Sequence, residues 1–147
     1  MTTILALLAL LALLALLALL ALLALLALRL HQTWPEVKLV FRGDSGFCRP
    51  LILNWCDRHG VEYIVGLATN TRLEKLSLDI RYESTIHWDA ESTKQRHFVR
   101  IDYAAHSWKR HRRKVVVKAE TSHRGFNTRY VVTNLHGSLK WLNDHHY

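Results

Sequence analysis

The sequence predicts an α/β fold: a strand–turn–helix–strand unit, followed by a β-rich antiparallel stretch and preceded by a long apolar helix. Three observations lead there. Residues Ile4 to Leu28 are a near-perfect Ala-Leu-Leu repeat with no polar side chain. Two short β-branched segments, Val37–Phe41 and Val61–Leu67, flank a stretch with helix-start and helix-stop residues. From Ser77 to Leu135, apolar and charged residues alternate in several places.

Leu and Ala are strong helix formers, and the repeat holds neither Gly nor Pro. A period of three on a helix of about 3.6 residues per turn spreads Ala over every face, so no polar stripe arises. About 25 residues at ~1.5 Å each reach roughly 37 Å, enough to cross a bilayer core. The flanks fit a secretory signal poorly: Met1-Thr2-Thr3 carries no basic side chain, and the run exceeds the usual ~7–15 apolar residues. Every Lys, Arg, Asp and Glu lies at or after Arg29. Inserted through residues 4–28, the helix would therefore leave the C-terminal portion in the cytoplasm. Such exact repetition also fits a tandem nine-nucleotide unit in the gene, whose product would insert just as well. The expected organisation is a low-complexity helix over 1–30 and a folded portion over 31–147.

In that portion, Val37-Lys38-Leu39-Val40-Phe41 reads as an interior strand. Arg42-Gly43-Asp44-Ser45-Gly46 is turn chemistry. Pro50 suits the first turn of a helix and Gly60 its end. Between them, Leu51 with Trp55 and Ile52 with Cys56 form i,i+4 pairs on one apolar side. Val61–Leu67 then returns as a second, parallel strand. Thr71 to Leu78 predicts a short helix capped by Asn70, with Leu73 and Leu76 inward. Leu78–Tyr82, Phe98–Tyr103, Lys114–Ala119 and Tyr130–Val132 read as strands of an antiparallel meander. Ser122–Thr128, with Gly125 and Asn127, reads as a turn, and Ser138–His146 as the start of a last helix.

The net charge of +8 fits a polyanionic partner, nucleic acid or an anionic membrane surface. Cys48 and Cys56, eight positions apart, match neither a redox CxxC pair nor a zinc knuckle. They read as two reduced, partly buried thiols. The scattered histidines form no HExxH or Cys/His ligand set, which argues against structural zinc.

The acid of interest is Asp44, just past the carboxyl end of a predicted strand, where open α/β sheets place functional residues. A carboxylate there suits Mg²⁺, which takes one or two carboxylates plus waters and phosphate oxygens. An Asp that only bonds its own turn backbone is the competing reading. The basic run Lys109, Arg110, His111, Arg112, Arg113 and Lys114 suits phosphate contacts. Without aromatic interleaving it would bind without reading sequence, and a solvated hairpin edge explains the same charges. Trp108 beside it reads as a packing residue.

Phe41-Arg42-Gly43-Asp44-Ser45-Gly46-Phe47-Cys48, followed by Trp55 to Ala68, resembles the DDE transposases of bacterial insertion sequences. Tyr103 to Trp108 and Arg129 to Leu135 are similar to that family as well. The likeness runs from about Leu30 onward. It implies an RNase H-like fold with a β-rich insertion, a cytoplasmic setting and DNA (transposon ends) as partner. It also implies three acids that hold Mg²⁺ to cut and rejoin DNA. Asp44 matches the second acid. The Ala-Leu-Leu run stands where the first is expected, and no stretch resembling the third, a Glu motif, precedes Tyr147. Asp57, Glu62, Asp79 and Asp102 do not match and read as solvent-facing or salt-bridged. The expected protein is thus a truncated transposase unit with one catalytic and metal-binding position, Asp44, and Mg²⁺ not stably held. Its alternatives are a membrane-anchored basic protein and a non-catalytic DNA-binding module.

Overall fold

The Ala-Leu-Leu repeat forms one continuous helix, α1 (Thr2–Thr33), in the computed structural model, which describes residues 1–109, 111–139 and 142. The helix runs past the repeat into Arg29–Thr33, where Thr33 Oγ1 donates to the Arg29 carbonyl at 2.9 Å. Pro35 then denies the chain a further helical turn. This helix lies in a unit of its own, Met1–Leu39, and the rest, from Val40, is a second unit.

The second unit is built on a five-stranded sheet of order β1-β2-β5-β4-β3. Its strands are β1 (Val40–Gly43), β2 (Glu62–Leu67), β3 (Gln95–Tyr103), β4 (Arg113–Ser122) and β5 (Gly125–Thr133). β1 and β2 are parallel neighbours with Gly43 opposite Val65, joined through helix α2 (Pro50–Arg58) as the sequence predicts. The meander β3–β4–β5 is antiparallel and also as predicted. It joins the same sheet through the antiparallel pair β2–β5, with Val65 opposite Val132.

Several expectations are corrected. β1 starts at Val40 rather than Val37 and is an edge strand, not an interior one. Leu78–Tyr82 is not a strand but the first turns of helix α4 (Leu78–Glu91). Its five-residue alternation is misleading, because Leu78 and Tyr82 are exposed while Ile80 and Ser84, four apart, are buried. The turn expected over Ser122–Thr128 narrows to His123-Arg124, because Gly125 adopts φ +102° and opens β5 at once. Helix α3 (Thr71–Leu76) forms, with the Asn70 carboxamide accepting from the Leu73 amide at 3.0 Å; Leu73 is buried but Leu76 is exposed. In α2, Ile52, Leu53 and Cys56 face inward while Leu51 does not. The last predicted helix falls mostly outside the described residues; within them Leu142 donates to the Ser138 carbonyl.

Alternation along the strands gives the sheet two faces. On β4, Val115, Val117, Ala119 and Thr121 are buried on one of them, and α4 packs on β3 and β4. Two buried hydroxyl pairs tie helix to sheet there, Ser77 to Tyr130 at 2.9 Å and Ser84 to Thr121 at 2.8 Å. On the other face Ile64, Val116 and Val131 pack with Leu135 and Leu142. Leu53 is fully buried and Leu51, two residues before it, is 37% exposed. Leu53→Ala is therefore expected to cost about 2–5 kcal/mol and Leu51→Ala well under half of that in a urea titration.

Candidate functional site

Asp44 leaves the carboxyl end of β1 with its side chain exposed to solvent, as the sequence reading expects. Its Oδ1 accepts from the Gly46 amide at 2.8 Å and so caps the 3₁₀ turn Ser45–Phe47. The local sequence explains this shape. A Cβ on Gly43 would stand 2.9 Å from Phe47 Cβ, so only Gly lets the Phe47 ring fold back against Phe41. A Cβ on Gly66 would stand 3.0 Å from the Ser45 nitrogen, so Gly66 on β2 lets the turn pass close by. Arg49 Nε closes the loop on the Gly46 carbonyl at 3.2 Å.

The basic run has a divided geometry. Lys109 sits at φ +48° after the 3₁₀ turn His106–Trp108, and Arg112 is exposed. Arg110 falls outside the described residues. Lys114 pairs with Asp102 at 2.7 Å in an exposed bridge. Arg113 turns inward, with only 9% of its side chain exposed. Its guanidinium donates to Asp57 and Asn54 on α2 and to the Tyr63 hydroxyl at 2.6 Å on β2. Asn134 completes the group: its Nδ2 donates to the Val61 carbonyl at 3.1 Å and its Oδ1 accepts from the Tyr63 amide at 2.8 Å. Trp108 is buried edge-on against Tyr103, a packing residue as expected.

Burial alone would lower the Arg113 pKa, but the bond to Asp57 and the nearness of Tyr63 outweigh it and raise it. Burial pushes the Tyr63 hydroxyl up to about 12. Burial likewise pushes the Cys48 and Cys56 thiols up to about 11 each. Both cysteines are free, and at neutral pH both are protonated.

Asp44 and the basic run are not brought together. The register sets Gly43, Val65, Val132 and Val115 in one row across the sheet. Arg113 is three strands from β1 and three residues back along the strand direction from Asp44, roughly 17 Å away.

The family profile described as Transposase DDE domain group 1 matches residues 17–147. The chain belongs to the DDE transposase family. No curated protein and no solved structure matches it. DDE transposases act on DNA and generally use a divalent metal. In this transposase chain the residues present do not fit that group. Asp44 spends one oxygen on Gly46, and among the described residues no three His, Cys, Asp or Glu side chains converge. A lone exposed carboxylate does not hold a pair of divalent ions against their hydration.

The sequence reading missed the Arg113–Asp57–Tyr63–Asn54 group. Arg113 and Asp57 are 56 residues apart, and nothing in a linear basic run marks the one member that turns inward. Removing Arg113 strands the buried Tyr63 hydroxyl and the half-buried Asn54, whereas Lys114 is exposed. Arg113→Ala is expected to cost about 1–3 kcal/mol, and Lys114→Ala between 0 and about 1, in parallel denaturant titrations. Tyr63, Cys48 and Cys56 all have folded pKa values above their ordinary ones. Their stabilising contribution is then complete below about pH 9 and is lost as pH rises toward 11–12. Unfolding midpoints recorded from pH 7 to 12 should fall only above about pH 9.

Proposed function

We propose that this chain is a remnant of a DDE transposase that binds DNA but does not cleave it. The observation that carries the reading is Asp44. It leaves the exit of β1, where the resemblance sets the family's second acid, and among the described residues no three His, Cys, Asp or Glu side chains converge. Metal-dependent strand cleavage and transfer would be the ancestral activity, on an RNase H-like unit whose β-rich insertion is the meander. The parallel pair β1–β2 bridged by α2 supports that assignment. Asp44 is the catalytic and metal position within it, with Mg²⁺ bound only when further acids are supplied.

DNA contact through Lys109, Arg110, Arg112, Arg113 and Lys114 belongs to the same reading. Exposure favours Lys109 and Arg112 as phosphate partners, while Arg113 serves the fold first. The surplus of positive charge makes such binding non-specific and steeply salt-dependent. A second reading, a membrane-anchored basic protein, is favoured by α1, which is long and apolar enough to cross a bilayer and keeps most of its leucines exposed. At ~1.5 Å per residue its 32 residues extend roughly 48 Å. The cytoplasmic location usual for the family would then apply to the basic unit on the inner side of a membrane.

A plasmid-nicking assay with Mg²⁺ or Mn²⁺ tests the main reading. Neither the parent nor Asp44→Ala should nick DNA, and both should bind it equally. Nicking by the parent that Asp44→Ala abolishes would sink the reading. Cell fractionation tests the second: recovery only with detergent supports a membrane anchor, and full recovery without it rules the anchor out.

A further inference from the structure

The face of the sheet opposite α4 carries a second set of charges, interleaved with apolar residues rather than run together. Where β3, β4 and β5 approach the His123-Arg124 turn, Arg96, Lys118, Glu120, Asn127 and Arg129 share a cleft of about 210 Å³ with Lys94. Among the described residues, four cations and one carboxylate line it. Glu120 is met by Lys94 at 2.9 Å, by Arg96 at 3.1 Å and by Lys118 at 3.8 Å. Arg129 forms no ion pair among the described residues, although it sits directly across the strand pair from Lys118. Like charges placed directly opposite on antiparallel strands destabilise a sheet. Arg129 is exposed, so it adds a solvent-facing positive charge to the mouth of the cleft.

We propose that this cleft is a phosphate-binding site for the backbone of double-stranded DNA. The inference rests on the DNA-binding reading above and gives it a second, different surface. Direction within the sheet supports the assignment. Gly66 pairs with Val131, and Arg129 lies two residues further toward the carboxyl ends of β1 and β2. Arg129, the cleft residue nearest to Asp44, is therefore two strands and two residues away from it, roughly 12 Å, at the same end of the sheet. Arg113 and Lys114 lie toward the other end.

The titration of the cleft agrees. Burial, then Arg96, Arg129 and Lys94, hold the Lys118 ammonium below its ordinary pKa against the pull of Glu120. Partial burial pushes Glu120 up, but the bonds from Lys94 and Arg96 outweigh it and hold the carboxyl below the usual range. A phosphate oxygen entering beside Arg129 meets a guanidinium that forms no ion pair among the described residues.

The test is fluorescence anisotropy of the full chain, in non-ionic detergent, with a labelled duplex of arbitrary sequence over a salt series. Lys94 and Arg129 are exposed, so Lys94→Gln with Arg129→Gln should fold like the parent by circular dichroism. That double variant should lose affinity on the order of tenfold, and its log-log salt slope should shallow by about 2. Glu120→Gln should instead tighten binding, which a purely structural role for the cluster would not do. Parent and double variant binding with the same affinity and slope would refute the cleft and leave DNA binding by the chain intact. No binding by the parent at any salt would overturn the DNA reading itself, and the cleft with it.

Discussion

The Arg113 guanidinium holds the two halves of the second unit together. Asn54 and Asp57 are three residues apart on α2, so their side chains leave the same face of the helix. Both accept from Arg113, the first residue of β4, which also donates to the Tyr63 hydroxyl on β2. One side chain thus joins the helix of the βαβ unit to the meander that follows it some fifty residues later. Its strength comes from the number of bonds around it, although the Arg113 Nε itself finds no partner. Asp57 also receives Asn134 at 3.2 Å, Asn134 caps the first amide of β2's buried run, and Thr133 Oγ1 donates to the Tyr63 carbonyl at 2.6 Å. A buried cation with several partners is costly to disturb, because its removal leaves those partners unpaired.

The placement of Asp44 depends on this tie at one remove. α2 begins at Pro50, six residues after Asp44, and the intervening chain is held by short local bonds and by the narrow passage over Gly66. If α2 shifted on the sheet, the Ser45–Phe47 turn would shift with it. The turn is therefore rigid for structural reasons, and Asp44 has a structural task as a cap besides any chemical one. An Asp that caps a turn with one oxygen keeps the other for a ligand, so the two readings of this residue do not exclude each other.

Much of the fold was legible because its signals are local. Pro50, Gly60 and the two β-branched runs bound the βαβ unit, and Asn70 caps α3 as its side chain suggests. What was not legible depends on tertiary contacts. Leu78-Asp79-Ile80-Arg81-Tyr82 alternates like a strand, yet the buried pair Ile80 and Ser84 selects a helix, and Thr121 on β4 supplies the partner for Ser84. Likewise, no property of Arg113 in sequence separates it from Arg112. The difference is that Asp57 and Asn54 come to face the start of β4, a contact across more than fifty positions.

The same limit explains why a linear run of basic residues does not show how its charges are placed. A run of like charges attracts notice, but in a β-structure consecutive residues point to opposite sides, so a run is divided as soon as the strand begins. Arg113 goes inward and Lys114 outward for that reason. Charges spaced two apart do the opposite: Lys118 and Glu120 share a face, and the register adds Arg96 and Arg129 from neighbouring strands. Positive charge in a sheet protein is concentrated by pairing across strands rather than by adjacency along the chain. In this chain that rule gathers Arg96, Lys118 and Arg129 around Glu120 on one face of the sheet.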